Sequence, residues 1–242
     1  MGINIVIPMA GRGIRFSEAG YTIPKPLIQV NGKTIIERAV ESLGIHGRYI
    51  FIVQKEHMEK FALGTLLNRI APNCKIIEID EITEGPACTA LLAKPYIDNF
   101  HELVIANCDQ IMQWDAQKFL YEAAVYDGCV VTYHENTPKN SYVRIDSKGK
   151  VLEIKEKEVI SNISLNGIHH WTCGNDFVES AEEMIANNDR APNKEFYISQ
   201  SYNFMIKKGL SVGFHHIPNQ QHFSAGVPGD LDRYMDHVSF QS

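Results

Sequence analysis

Ile3-Asn4-Ile5-Val6-Ile7-Pro8 runs directly into Met9-Ala10-Gly11-Arg12-Gly13-Ile14-Arg15, and Ile23-Pro24-Lys25-Pro26-Leu27 follows close behind. The apolar run from Ile3 to Pro8 reads as a buried first strand. The two glycines after it let the backbone turn sharply and bring its N–H groups close to a ligand. Arg12, Arg15 and Lys25 set three cations around that turn. Amides cradle oxygens and cations offset negative charge, so a strand, a glycine turn and this basic cluster suit a polyphosphate.

Two look-alikes are excluded. No Gly-Lys-Ser/Thr closes the loop, so it is not a P-loop. Phe16 stands where a dinucleotide fingerprint needs its third glycine. The rival reading is a plain strand-to-loop turn with stray surface cations. Arg15 and the Pro24-Lys25-Pro26-Leu27 segment, both directly after the first strand, favour phosphate binding.

Working outward, 242 residues can bury a substantial core as one domain. Apolar residues are 44% and charged residues 21%, ordinary for a globular chain. The net charge of −6 argues against non-specific nucleic-acid binding, which needs a basic surface. The five cysteines contain no Cys-x-x-Cys and are expected to be free thiols in a reducing compartment. The first residues lack a basic segment before a long apolar stretch, and no apolar run reaches membrane-spanning length. The expectation is a cytoplasmic protein with no membrane partner.

Strand and helix patterns alternate through the first half. Ile3 to Pro8, Tyr49 to Val53, Lys75 to Ile79 and Leu103 to Ala106 read as strands. Thr34 to Leu43, Glu56 to Ile70, Ala87 to Ile97 and Ala116 to Val125 read as helices. Thr34 with Glu37 is a capping-box pattern, and Gly44 is a stop signal. Later strands are expected at Cys129 to Tyr133, Tyr142 to Ile145, Val151 to Ile154, Ile163 to Trp171 and Leu210 to His215. Helices are expected at Phe177 to Ala186, Phe196 to Lys207 and Asp230 to Val238. This rhythm specifies an α/β, Rossmann-like single domain over 1–242. Its sheet is mostly parallel but mixed, with helices on both faces. The pattern changes after about Gly128, and residues 1–127 are expected to form a nucleotide-binding half and residues 128–242 an acceptor-binding half, by the resemblance set out next.

Gly11, Gly13, Arg15, Pro24 and Lys25 resemble the opening motif of the nucleotidyltransferase family. That family comprises sugar-1-phosphate nucleotidylyltransferases and the related phosphocholine-type cytidylyltransferases. The resemblance implies a nucleotide-diphospho-sugar transferase type of fold and a reaction needing Mg²⁺. Ligands of such sheets sit beyond the C-terminal ends of parallel strands. Asp109, just past Leu103 to Ala106, is placed there to hold Mg²⁺ and matches the family's Asp, although Cys108 replaces its usual Gly. The alternative is that Asp109 only caps the next segment.

The resemblance further implies that Met9, Ala10, Gly85, Pro86 and Thr89 lie near base and ribose, beside the phosphate-binding Gly11, Arg12 and Gly13. A plain helix start with Pro86 in its first turn explains Gly85 to Thr89 equally well. Lys157, from a Glu-Lys pair, is expected to meet an acceptor phosphate; Lys155 shares its strand face by period two. A solvated hairpin face is the competing reading of that charge run. Asn166 and Gly167 resemble the strand that lines the family's acceptor pocket, with Gly167 allowing close approach. His222 to Pro228 resembles the family's Trp-x-Asp-x-Gly-Thr-Pro, but Ser224 stands at the Asp. Either Asp109 works with phosphates and waters alone, or Asp230 compensates. His169-His170 and His215-His216 are poor zinc pairs, because strand neighbours point to opposite faces.

The implied activity is transfer of a nucleoside monophosphate from a nucleoside triphosphate to a phosphorylated small-molecule acceptor, with release of pyrophosphate. CTP is preferred to UTP or dTTP, and the setting is capsule or cell-surface polysaccharide biosynthesis. Arg15, Lys25 and Asp109 carry the chemistry. Many members of the family are dimers, so a homodimer stays open. The alternatives are a GT-A-like glycosyltransferase and a non-catalytic nucleotide-binding protein.

Overall fold

The computed structural model describes residues 2–239. In chain order, β1 (Ile3–Pro8) leads through α1 (Ile14–Glu18) to the short hairpin β2 (Gln29–Val30) and β3 (Lys33–Thr34). Next come α2 (Ile35–Leu43), β4 (Arg48–Gln54), α3 (Lys55–Phe61), α4 (Leu63–Ile70) and β5 (Lys75–Ile79). Then follow α5 (Pro86–Leu91), α6 (Lys94–Ile97), β6 (Glu102–Ala106), β7 (Gln110–Met112), α7 (Ala116–Ala123) and β8 (Gly128–His134). The hairpin β9 (Ser141–Ile145) and β10 (Val151–Glu156) precedes β11 (Ile163–Trp171), α8 (Gly174–Ala186) and α9 (Ile198–Lys207). β12 (Val212–His216), β13 (His222–Ser224) and α10 (Pro228–Ser239) complete the described chain.

The central sheet has nine strands. β6, β1, β4 and β5 lie side by side and parallel. β11 runs antiparallel between β6 and β8, and β12 adds to β8 in parallel. The β9–β10 hairpin branches from the early part of β11 through Ser164 and Tyr142. The sheet is thus mixed, parallel through β6, β1, β4 and β5 and largely antiparallel beyond them.

Both faces are covered, as near-continuous apolar strands require. Val6, Ile50 and Ile52 face one core with α5, α8 and α9. Ile5, Ile7, Phe51 and Val53 face the other, with α2, α4 and α7. A third, smaller cluster of Phe16, Val30, Ile35, Ala225 and Leu231 anchors the loop after β1 to the segment before α10.

The boundary signals of α2 behave as read. Thr34 Oγ1 accepts from the Glu37 N–H at 3.3 Å, Glu37 Oε2 accepts from the Thr34 N–H at 2.7 Å, and Gly44 takes the left-handed conformation with φ 65°. Two helices differ from expectation. The stretch Glu56 to Ile70 breaks at Ala62, which takes φ 49° and separates α3 from α4. Ala87 to Ile97 divides into α5 and α6, with Pro95 in the first turn of α6 rather than inside one long helix. β2, β3, β7, β13 and α1 were not expected.

The histidine pairs point apart, as strand geometry demands. His169 stacks with Trp171 and Tyr202, while His170 donates to or accepts from Glu102 at 3.1 Å and meets Phe119. His215 pairs with Glu122 at 2.6 Å and His216 with Thr132 at 3.2 Å.

Candidate active site

β1 and β6 are parallel neighbours, so the loops leaving their C-terminal ends lie side by side. One carries Gly11 to Arg15 and the other Asn107 to Asp109. Lys25, on a 3₁₀ turn over Lys25–Leu27, reaches across to Asp109, with Nζ 2.6 Å from Oδ2. The two side chains keep only 20% and 11% of their exposure. Burial alone would push the Lys25 pKa down. The Asp109 carboxylate, by charge and hydrogen bond, more than offsets that and holds the lysine above its ordinary range. Cys108, buried beside the pair, has its thiol pushed up by burial to about 11, which leaves it protonated and unsuited as a nucleophile.

The glycine loop is tied down by Gln54, whose Nε2 donates to the Ala10 carbonyl at 2.8 Å. Gly13 takes φ 61° and starts α1. Among the described residues, the backbone N–H groups of Gly11 to Arg15 donate to no protein acceptor. That is the state of amides able to receive an anion.

Three cavities surround this loop. The first, about 170 Å³, lies between Ala10 and Gly11 on one wall and Gly85, Pro86 and Thr89 on the other. Five of the residues assigned to loop, base and ribose therefore meet around one space. Met9 does not join them: it is 2% exposed and packs into the core against the β1 side of the sheet. Gly85 also plays another part than leaving room for a base. It has φ 144°, and a Cβ there would come within 2.4 Å of the Phe196 carbonyl oxygen. The main chain of Phe196 bonds on both sides of it, accepting from Ala87 at 3.0 Å and donating to Glu84 at 3.0 Å. Gly85→Ala is accordingly expected to lower stability by about 2 kcal/mol or more, from backbone strain and overpacking. A loss of less than about 0.5 kcal/mol by urea unfolding would remove this packing as a constraint.

The second cavity, about 240 Å³, is bordered by Arg15, Asn107, Gln110, Glu156, Asn166, Gly167, His169, Tyr197 and Asp230. Arg15 thus faces this space, while Arg12 borders a third cavity with Lys25, His57 and Lys60. The two arginines diverge because they stand on either side of the turn at Gly13. Asn166 and Gly167 lie at a bulge where the β11–β8 register shifts. Gly167 takes φ 91°, and the space its missing Cβ leaves is filled by Asn107, whose Nδ2 would be 2.2 Å from such an atom. The close approach at Gly167 is therefore made by the protein itself.

Lys157 leaves the strand pattern with φ 58°. Its Nζ sits 2.5 Å from the Tyr197 hydroxyl and 4.6 Å from the centre of that ring, so Tyr197 stands between it and the cavity. Lys155 is turned to Glu153 at 3.4 Å. Glu156 is buried, accepts from Ser141 and from Ser199 at 2.9 Å, and has its pKa raised by burial despite those bonds. Gln110 pairs with His222 across the β7–β13 ladder, and burial holds the His222 pKa at about 4, so that ring is neutral.

Among the described residues, no three His, Cys, Asp or Glu side chains converge to cage a metal. Asp109 offers one carboxylate, with Oδ1 accepting only a long bond of 3.3 Å from Gln110. Ser224 Oγ and Asp109 Oδ2 lie 3.2 and 3.3 Å from the position of a Cβ on Gly226, so the hydroxyl stands beside the carboxylate. Asp230 borders the same cavity but is paired with Arg233. This single hard oxygen donor, beside loop amides without a protein acceptor, fits Mg²⁺, which commonly takes one or two carboxylates and completes its shell with phosphates and water.

A model of the MobA-like NTP transferase domain matches residues 5–182. Among solved structures, a nucleoside-diphosphate-sugar pyrophosphorylase from Vibrio cholerae superposes with a TM-score of 0.84 at 26% identity, covering 96% of this chain and 99% of that one. The inositol-1-phosphate CTP transferase of T. maritima shares the fold, with a TM-score of 0.74 at 15% identity over 98% of this chain and 94% of that one. The bifunctional protein GlmU of Methanocaldococcus jannaschii is 29% identical over 156 residues, which is 64% of this chain and 36% of that protein. The chain spans about a third of the length of the curated relatives it matches, by coverages of 36%, 36% and 39%.

Proposed function

The chain belongs to the family of MobA-like NTP transferase domains, and from that premise we propose that it moves a nucleoside monophosphate from a nucleoside triphosphate to a phosphorylated small-molecule acceptor, releasing pyrophosphate. The observation that carries this reading is the buried Lys25–Asp109 pair, set where the β1 and β6 loops meet, with Lys25 bordering the same cavity as Arg12. An acceptor phosphate is already anionic, so the attack on the α-phosphorus needs no general base. The protein's task is alignment and charge neutralisation.

In this reading the free amides of Gly11 to Gly13 and the Arg15 guanidinium hold the outer phosphates. Lys25 stabilises charge growing on the α-phosphoryl oxygens. Mg²⁺ held by Asp109 would neutralise and orient the triphosphate. The base occupies the cavity between Ala10 and Thr89, and the acceptor occupies the cavity bordered by Glu156 and Asn166. Lys157 acts on the acceptor phosphate once Tyr197 moves or relays its hydrogen bond. Residues 1–127 would then supply the nucleotide half and residues 128–242 the acceptor half.

CTP is the favoured nucleotide, and a cytoplasmic role in making activated precursors for capsule or cell-surface polysaccharide is the favoured setting. Both rest on the likeness of the opening motif to cytidylyltransferases. Among the described residues no helix is long and apolar enough to cross a membrane.

Pyrophosphate release from CTP, UTP and dTTP with Mg²⁺ and a panel of sugar 1-phosphates, inositol 1-phosphate and phosphocholine tests the reading. Thermal unfolding tests nucleotide choice separately. CTP at about a hundred times its Kd is expected to stabilise by about 2.7 kcal/mol, a rise in Tm of roughly 5–10 °C. Equal shifts from all three nucleotides would remove the CTP preference. No shift and no pyrophosphate from any of them would remove the function.

A further inference from the structure

The polar groups around the acceptor cavity are mostly bonded to one another. Asn166 Oδ1 accepts from the Ile168 N–H at 3.0 Å, and its Nδ2 rests on Met112 Sδ at 3.4 Å. Gln110 is matched with His222, and Glu156 with Ser141 and Ser199. Among the buried polar side chains described there, His169 is the exception. It borders the cavity at 5% exposure, its Nδ1 is sealed from solvent, and that nitrogen has no hydrogen-bond partner. A nitrogen sealed in this way cannot meet a ligand, so the ring can serve the cavity only through Nε2.

We propose that His169 sets specificity in the acceptor cavity by hydrogen-bonding a hydroxyl group of the phosphorylated acceptor, an assignment that rests on the nucleotidyl-transfer reading above. Three further observations support it. First, the bulge in β11 brings His169 to the cavity together with Asn166, although residues three apart on a regular strand face opposite ways. Second, the imidazole is held by stacking, with ring centres 5.8 Å from Tyr202 and 6.0 Å from Trp171, both at 25° between planes. It is therefore fixed in place rather than free to seek a partner inside the fold. Third, burial drives the His169 pKa down to about 3, so the ring is uncharged near neutrality and suits a neutral group. Anionic groups of the acceptor fall instead to Lys157 and to Lys139, which borders the same space. With no acceptor for a proton on Nδ1, the favoured tautomer carries it on Nε2, which then donates to the hydroxyl oxygen.

The test is initial-rate kinetics on the full chain with glucose 1-phosphate and inositol 1-phosphate as hydroxyl-bearing acceptors and phosphocholine as one without hydroxyls. His169→Phe keeps a stacked ring and removes both nitrogens. It is expected to raise KM for the hydroxyl-bearing acceptor about tenfold or more, with KM for the nucleotide changed less than twofold and phosphocholine unaffected. His169→Gln, which restores a hydrogen-bonding side chain, is expected to recover most of that loss. If His169→Phe does not fold, wild type and His169→Gln are compared on monodeoxy glucose 1-phosphates, one of which should lose about tenfold in wild type.

Equal changes in both Michaelis constants, an unchanged acceptor KM in an active variant, no sensitivity to any deoxy position, or turnover of phosphocholine alone would each overturn the assignment of His169 and leave nucleotidyl transfer standing. Absence of pyrophosphate from every acceptor with the wild-type chain would overturn the transfer reading, and this assignment with it.

Discussion

Lys25→Ala is expected to lower kcat by roughly 10²-fold or more while the chain still binds nucleotide, because removal of one preorganised charge partner has effects of that size elsewhere. The position makes the effect large. Lys25 is 20% exposed and lies at the join of two strand ends, where a charge acts through protein rather than through water. In the unliganded chain its ammonium is neutralised by Asp109. On the proposed function, a triphosphate arriving at Gly11 to Arg15 gives it a second anionic partner without requiring a conformational search. Steady-state turnover with saturating nucleotide checks this, and a rate within threefold of wild type would take Lys25 out of the chemistry.

Asp109→Ala carries the second large effect, on two separate readouts. Removing one member of a buried ion pair strands the other, and the usual penalty is about 3–5 kcal/mol. Lys25 would keep its burial and lose its counter-charge, so the urea midpoint should fall sharply. Catalysis should fall in parallel, by roughly 10²-fold or more, if the carboxylate also holds the metal. The double variant with Lys25→Ala separates the two roles. Much of the stability should return when neither charge is buried alone, whereas turnover should not return.

The pH dependence of the pair has a definite sign. The folded pKa of Lys25 lies above its unfolded value, so its contribution to stability is fully present at neutral pH. It is lost only as pH climbs through that raised value, beyond the range in which most enzymes are assayed.

Legibility in the sequence tracked how local each signal is. The apolar runs of β1, β4 and β6 are long enough to show burial on both faces, and the Thr34–Glu37 box and Gly44 mark their helix within one turn. By contrast β2, β3, β7 and β13 have two or three residues each, too few for any period to appear. The break falls at Ala62 itself, while the nearby Gly64 lies inside α4 and does not mark it.

The same division holds in the site. Gly11, Gly13, Arg15 and Lys25 lie in one short stretch and were readable together, and Asp109 follows from its place after a strand. Met9 sits beside that stretch but turns into the core, a matter of strand parity just past β1. Tyr197 over Lys157, and His222 against Gln110, join positions 40 and 112 residues apart, and no local pattern encodes such meetings. His169 was readable only as an unlikely zinc ligand, because its unpartnered nitrogen exists only in the assembled fold.

The two main-chain bonds from Phe196 to Glu84 and Ala87 stitch the wall beside Gly85 to the segment that begins α9, whose neighbour Tyr197 looks into the other chamber. The two cavities are thus mechanically linked, and on the proposed function so are base choice and acceptor choice. An engineer who transplants the 83–89 turn from a relative to change the nucleotide would tug on the opposite chamber too. The practical unit of exchange is the turn together with residues 195–197.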